Sequence, residues 1–203
     1  MAGNSEYINR RIHSLLGVIP IGVFLTQHLV VNHFATRGPE AFNQAVHFME
    51  SLPFRHVLEA FIIFLPILFH AIYGVYIAFT SKSNTSRYGF FRNWMFFLQR
   101  VTGVILLVFI TWHVYDTWFQ SVFLGEEISF NFMADILSNP FMLAFYILGV
   151  VSATFHFANG LWSFAVSWGI TVSPRSQRIM TYVSAIIFLA LTYVGVAAAL
   201  AFV

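Results

Sequence analysis

Four histidines sit inside long apolar stretches and recur at nearly constant spacing. Phe69-His70-Ala71-Ile72-Tyr73-Gly74-Val75-Tyr76 matches Phe155-His156-Phe157-Ala158-Asn159-Gly160-Leu161-Trp162 as F-H-x-x-x-G-aliphatic-aromatic, 86 residues apart. His28 and His113 continue the match at an offset of 85, and His13 with Gln99 and Gly17 with Gly103 at 86. Two imidazoles on opposite faces of a flat macrocycle complete six-coordinate iron, leaving no position open to oxygen or substrate. A haem held that way transfers electrons and little else. Buried histidine can instead bridge helices by hydrogen bonds or serve a proton relay. Zinc would require a compact tetrahedral cluster, whereas these four are spread over two depths.

The elements that position them follow from composition. Of the 203 residues, 59% are hydrophobic and 9% charged, with mean hydropathy +0.76. A soluble domain carries about 25% charge, so a membrane is the expected solvent. Crossing a ~30 Å hydrocarbon core at ~1.5 Å per residue takes about 20 apolar residues. Five stretches have that length, roughly 12–34, 57–80, 94–119, 141–168 and 179–203. The runs are continuously apolar, unlike the alternating ten-residue segments of a membrane β-barrel. The expectation is one all-α integral membrane domain, with helices 1–4 forming a haem-binding bundle and the fifth helix peripheral. The repeat unit is a two-helix hairpin.

Cysteine is absent, which removes disulfides, iron–sulfur ligation, Cys-bound zinc and thioether-linked haem together. The pI near 9.1 rests on ten basic residues, which act as topology signals, and nucleic acid is not an expected partner. Arg10-Arg11 leads into a span of ordinary length with no cleavage pattern, so the first helix is expected to stay in the mature protein. Eight of the ten basic residues (Arg10, Arg11, Lys82, Arg87, Arg92, Arg100, Arg175 and Arg178) share one side of a five-span topology. By the positive-inside rule the amino terminus is cytoplasmic and the carboxyl terminus external. Arg100 is expected to snorkel to the inner surface. On that topology His28 and His113 lie in the external half, and His70 and His156 nearer the cytoplasm. Counting from flanking charges separates the layers by about 10 Å.

Other candidates are secondary. His13 and Ser14 open the first helix, where they can hydrogen-bond a propionate of the inner haem or simply face the interface. His33, His47 and His56 fall near or within the external loop and are expected to be solvated, although any of them can help protonate a quinone. Gly17, Gly74, Gly103 and Gly160 leave room for a flat ring or for close helix contact. Trp and Tyr at the span ends suit interfacial belts.

The four histidines, the Arg11-x-His13-Ser14-Leu15-Leu16-Gly17 and Gln99-Arg100-Val101-Thr102-Gly103 segments, and His156-x-x-Asn159-Gly160-Leu161-Trp162 carry a family resemblance. The chain resembles, over nearly its whole length, the di-haem cytochrome b subunit of succinate dehydrogenase, or complex II, in the single-anchor form of Gram-positive bacteria. The resemblance implies a bacterial cell-membrane anchor for two cytoplasmic partners, an FAD flavoprotein and an iron–sulfur protein. It implies two non-covalent haem b groups, the inner on His70 and His156 and the outer on His28 and His113, with menaquinone as electron acceptor. Succinate oxidation itself would occur in the flavoprotein. The family's quinone site near the outer haem loosely implicates Gln27, Asn32, His33 and Asp116. Some related fumarate reductases carry an acidic residue two positions before the fourth-helix ligand, for transmembrane proton movement, where this chain has Thr154. Anchors of quinol:fumarate reductase, of other haem b oxidoreductases such as hydrogenase or formate dehydrogenase, and a haem-free transporter or scaffold are the alternatives.

Overall fold

In lipid, backbone N–H and C=O groups find partners only within a helix or a closed barrel. The computed structural model describes residues 2–203, and no strand occurs among them. Five helices are long and apolar enough to cross a membrane: Asn4–Arg37, Arg55–Thr80, Phe91–Leu124, Pro140–Ser167 and Pro174–Leu200, here called the first to fifth spans. The first and third exceed their expected extents, at 34 residues each. At ~1.5 Å per residue that is about 51 Å, well beyond a ~30 Å core. The first gains mainly its polar opening turns, residues 4–11, and the third gains residues 91–93 and the turn Gln120–Leu124 beyond its expected end.

Two prolines punctuate the spans. Pro20 has no N–H to donate, and Ile19 leaves regular helix beside it. The bonds Ile19 N to Leu15 O, 2.9 Å, and Val23 N to Ile19 O, 3.2 Å, carry the ladder across the defect. In the second span, Pro66 follows a π-helical turn, Glu59–Phe64. A proline ring clashes with the carbonyl four residues earlier, and widening the preceding turn relieves the clash. A second π turn, Tyr115–Phe119, follows His113 in the third span without a proline.

The first span packs against the second and the fourth, and the third against the second and the fourth. The fifth lies outside this group, across the fourth and first. Small residues let these helices approach closely. A Cβ on Gly149 would lie 2.4 Å from the Phe109 ring, and one on Gly195 would lie 2.6 Å from Val150 Cγ1. Thr154, 0% exposed, meets Thr192 Oγ1 at 2.7 Å and joins the fourth span to the fifth. His33 also serves the fifth span, with its Nδ1 3.0 Å from Val194 O. It is half-buried, which corrects the expectation of a solvated loop histidine; His47 and His56 are exposed as expected.

Two short helices, Pro39–Glu50 and Phe130–Leu137, close the face opposite the amino terminus. Phe42 and Leu137 are 1% exposed there, and the Phe42 and Phe130 rings lie 5.1 and 4.9 Å from Phe202 near the chain end. The Phe130 N–H donates to Asn43 Oδ1 at 2.8 Å, tying one helix to the other. These helices occupy equivalent places in the two halves of the repeat. On the amino-terminal face, Arg92 lies over the Trp162 ring at 3.5 Å and hydrogen-bonds Thr181. Arg100 turns back to donate to Phe96 O at 2.7 Å, toward the start of its span, the direction expected of snorkelling.

Candidate functional site

The fold brings the repeat histidines together across the bundle, between hairpins. His28 of the first span faces His113 of the third, with ring centres 5.8 Å apart and planes at 74°. His70 of the second faces His156 of the fourth at 6.2 Å and 77°. A metal–imidazole bond is about 2 Å, and adding about 1 Å to each ring centre places two axial imidazoles about 6 Å apart. Both pairs have that spacing. Among the described residues no three His, Asp or Glu side chains converge on one point. Either imidazole pair therefore suits a metal that brings its remaining donors with it, as iron does in a macrocycle.

Hydrogen bonds set the tautomers of the His70–His156 pair. His70 Nδ1 lies 3.0 Å from the His13 carbonyl, which can only accept. Nδ1 therefore carries the proton and Nε2 keeps its lone pair for a metal. His156 Nδ1 lies 3.2 Å from Thr102 Oγ1. The Thr102 hydroxyl spends its single proton on Leu98 O, 2.8 Å away, with Gln99 O at 3.2 Å. It must accept from His156, which gives the same tautomer. Gln99 Nε2 donates to His156 O at 3.0 Å, and Asn159 Nδ2 donates to Gln99 Oε1 at 2.7 Å and to Met95 O at 3.1 Å. Gln99, Thr102 and Asn159 lie inside the motifs, but their contacts around His156 become visible only once the third and fourth spans meet.

The four motif glycines make room for these side chains. A Cβ on Gly17 would sit 2.6 Å from His70 Cε1, and one on Gly103 would sit 3.2 Å from His156 Cε1. A Cβ on Gly74 would sit 3.2 Å from His13 Nε2, and one on Gly160 3.5 Å from Gln99 Nε2. Both halves of the repeat thus use one glycine to admit the imidazole and one to admit a residue bonded to that histidine, His13 through its carbonyl to the His70 ring and Gln99 through its amide to the His156 carbonyl. His13 itself stacks on His70, ring centres 3.9 Å apart and planes at 10°. Ser14 is half-buried beside it.

The other pair is held differently. His113 Nδ1 lies 3.4 Å from the hydroxyl of Tyr146, a residue only 5% exposed, and the Phe109 ring stacks on His113 at 5.6 Å. Four residues after each histidine of this pair, a polar side chain donates to its carbonyl: Asn32 Nδ2 to His28 O at 2.8 Å, and Thr117 Oγ1 to His113 O at 2.6 Å. Asn32 Nδ2 also stands 3.4 Å from His28 Nε2. Tyr146 was not foreseen, since nothing in its apolar surroundings marks it as a histidine partner.

The layers are further apart than counting from flanking charges suggested. His70 sits against His13 and Gly17, and His28 follows those residues by eleven to fifteen positions on the same helix. His156 sits against Thr102 and Gly103, ten or eleven positions before His113. At ~1.5 Å per residue the separation is about 15–22 Å, not about 10 Å. The loosely grouped quinone candidates disperse. Gln27 Nε2 lies 3.3 Å from Met49 Sδ in an apolar groove of about 980 Å³, His33 serves the fifth span, Asn32 backs His28, and Asp116 lies half-buried in the third-span π turn.

Residues 80–198 match the family model described as succinate dehydrogenase/fumarate reductase transmembrane subunit. Over 203 residues, covering 100% of both chains, the sequence is 65% identical to the succinate dehydrogenase cytochrome b558 subunit of Bacillus subtilis (strain 168).

Proposed function

The chain belongs to the succinate dehydrogenase/fumarate reductase transmembrane subunit family, and from that premise we propose that it is the di-haem membrane anchor of a succinate:menaquinone oxidoreductase. In this reading it docks an FAD flavoprotein and an iron–sulfur protein on its amino-terminal, cytoplasmic face and passes their electrons to menaquinone near the opposite face. The observation that carries it is the pair of imidazole couples, 5.8 and 6.2 Å between ring centres, each built from repeat-related histidines. Haem b held by these pairs would supply reversible one-electron transfer.

The chain's own residues do the holding. His70 and His156 would hold the inner haem, with Nδ1 protons committed to His13 O and Thr102 Oγ1. His28 and His113 would hold the outer one, with Tyr146 and Asn32 beside them. His13 and Ser14 are at hand for an inner propionate. Eight of the ten basic side chains fall on the amino-terminal side, in agreement with a cytoplasmic amino terminus. A transmembrane proton path along the fourth span, of the kind some related fumarate reductases use, finds no support at Thr154, which is wholly buried and hydrogen-bonded to Thr192. No carboxylate stands at that place to carry protons along the fourth span.

Reduced-minus-oxidised spectra of ligand variants test the assignment. His113→Ala or His28→Ala should remove or convert one low-spin haem, and His70→Ala or His156→Ala the other. A variant of any of the four that keeps both low-spin haems refutes that ligand.

A further inference from the structure

Where the third and fifth spans begin and the fourth ends, on the amino-terminal face, Arg92, Trp162, Gln177, Arg178, Thr181 and Tyr182 line a cleft of about 350 Å³. Arg92 is fixed in it. Its guanidinium carbon lies 3.5 Å from the Trp162 ring centre, and its Nη2 donates to Thr181 Oγ1. Trp162 Nε1 and Thr181 Oγ1 both donate to Gln177 O, at 3.1 and 2.9 Å, and Gln177 Nε2 donates to Thr171 O at 3.3 Å. Residues of the fourth and fifth spans thus hold one cation of the third in place.

That cation is left with donors to spare. A guanidinium carries five N–H groups, and Arg92 spends one on Thr181. Arg178 is exposed in the same cleft. Among the described residues Glu6 is the sole carboxylate on this face, and it pairs with Arg10 at 2.8 Å. The cleft therefore gathers two positive charges with no protein anion to answer them.

What the cleft opens onto decides the kind of anion. Residues three and four apart share a helix face, and Arg178 heads such a stripe on the fifth span, which lies outside the bundle. Tyr182, Ile186 and Leu189 continue it, 64%, 66% and 64% exposed. Over about 16 Å the stripe runs from a cation through an interfacial tyrosine to aliphatic side chains. A phospholipid has the same order, with phosphate at the surface, glycerol at the boundary and acyl chain below. Basic pockets between membrane helices suit anionic headgroups, whereas an acidic protein segment would use the cations and leave the stripe bare.

We propose that this cleft binds one anionic phospholipid of the leaflet on the amino-terminal side, its phosphate on Arg92 and Arg178 and an acyl chain along Tyr182, Ile186 and Leu189. The phosphate bridges the third span and the fifth, adding to the Arg92–Thr181 bond between them.

The test titrates lipid onto the full chain, purified in detergent micelles and stripped of lipid, and counts bound copies by native mass spectrometry. Phosphatidylglycerol should bind as one tight copy per chain, at least tenfold tighter than zwitterionic phosphatidylcholine. Arg92→Gln combined with Arg178→Gln should weaken phosphatidylglycerol at least tenfold, and Lys82→Gln, on the same face but outside the cleft, should leave it near wild type. Equal affinity for the two lipids, or wild-type binding by the double variant, overturns the proposal. If the double variant fails to fold, Arg178→Gln alone decides at an exposed side chain: a several-fold loss supports the site and unchanged binding overturns it. Displacement of the lipid by millimolar inorganic phosphate would make this a site for free anions and overturn it as well. The complex purified with its partner subunits should retain the lipid, and its exclusion there would assign the cleft to a protein partner instead.

Discussion

At the scale of single residues, the site is defined as much by what is missing as by what is present. Gly17 and Gly103 lack the Cβ atoms that would meet His70 and His156 at 2.6 and 3.2 Å. The first distance is too short for any real contact, and the neighbour is a ring held by its Nδ1 bond to His13 O, so it has little freedom to yield. Gly17→Ala should therefore displace His70 and strip or convert the inner haem while the outer one persists. Gly103→Ala, with a few tenths of an ångström more room, should keep both haems but weaken the inner. Haem content and low-spin absorbance of the purified variants check this, and an unaltered Gly17→Ala spectrum would contradict the packing described. The repeat of His and Gly was legible because each type has a chemical reason to recur. Tyr146 and Thr102 were not, because a hydroxyl on a helix says nothing of its partner until the neighbouring helix is placed.

At the scale of elements, the five spans were legible because hydrophobic length alone sets them. Their ends were not: the polar opening turns of the first span extend the helix without adding hydropathy. The helices Pro39–Glu50 and Phe130–Leu137 were also missed, being shorter than a membrane crossing and legible only as charged or polar connections. Neither π turn has a signature beyond Pro66. Packing between the fourth and fifth spans depends on polar contacts as well as small residues, among them Thr154 to Thr192 at 2.7 Å and Trp162 Nε1 donating to Gln177 O at 3.1 Å. A hydrogen bond between membrane helices contributes about 0.6 kcal/mol, and at most about 1.7. Thr154→Val, nearly the same in shape, should destabilise the protein by about that much, measured by denaturant unfolding in detergent micelles. A loss of several kcal/mol would mean that the buried hydroxyl does more than join two helices.

At the scale of the whole molecule, two imidazole pairs about 15–22 Å apart along the bundle axis define a direction across the membrane. One unit charge crossing the full potential is worth ~2.3 kcal/mol per 100 mV. On the proposed function, electrons moving from the amino-terminal face outward would be assisted by a potential negative inside. Dissipating the potential across intact vesicles should slow succinate oxidation by menaquinone while leaving reduction of a dye at the flavoprotein unchanged. A rate independent of potential would place both electron entry and quinone reduction on one side.

The most direct measurement of the central claim is the haem b content of the purified, fully loaded polypeptide, taken with its redox titration. Two haems per chain, both low-spin and titrating at different potentials, are predicted from the two unlike imidazole pairs. One haem per chain, or none, would contradict the account.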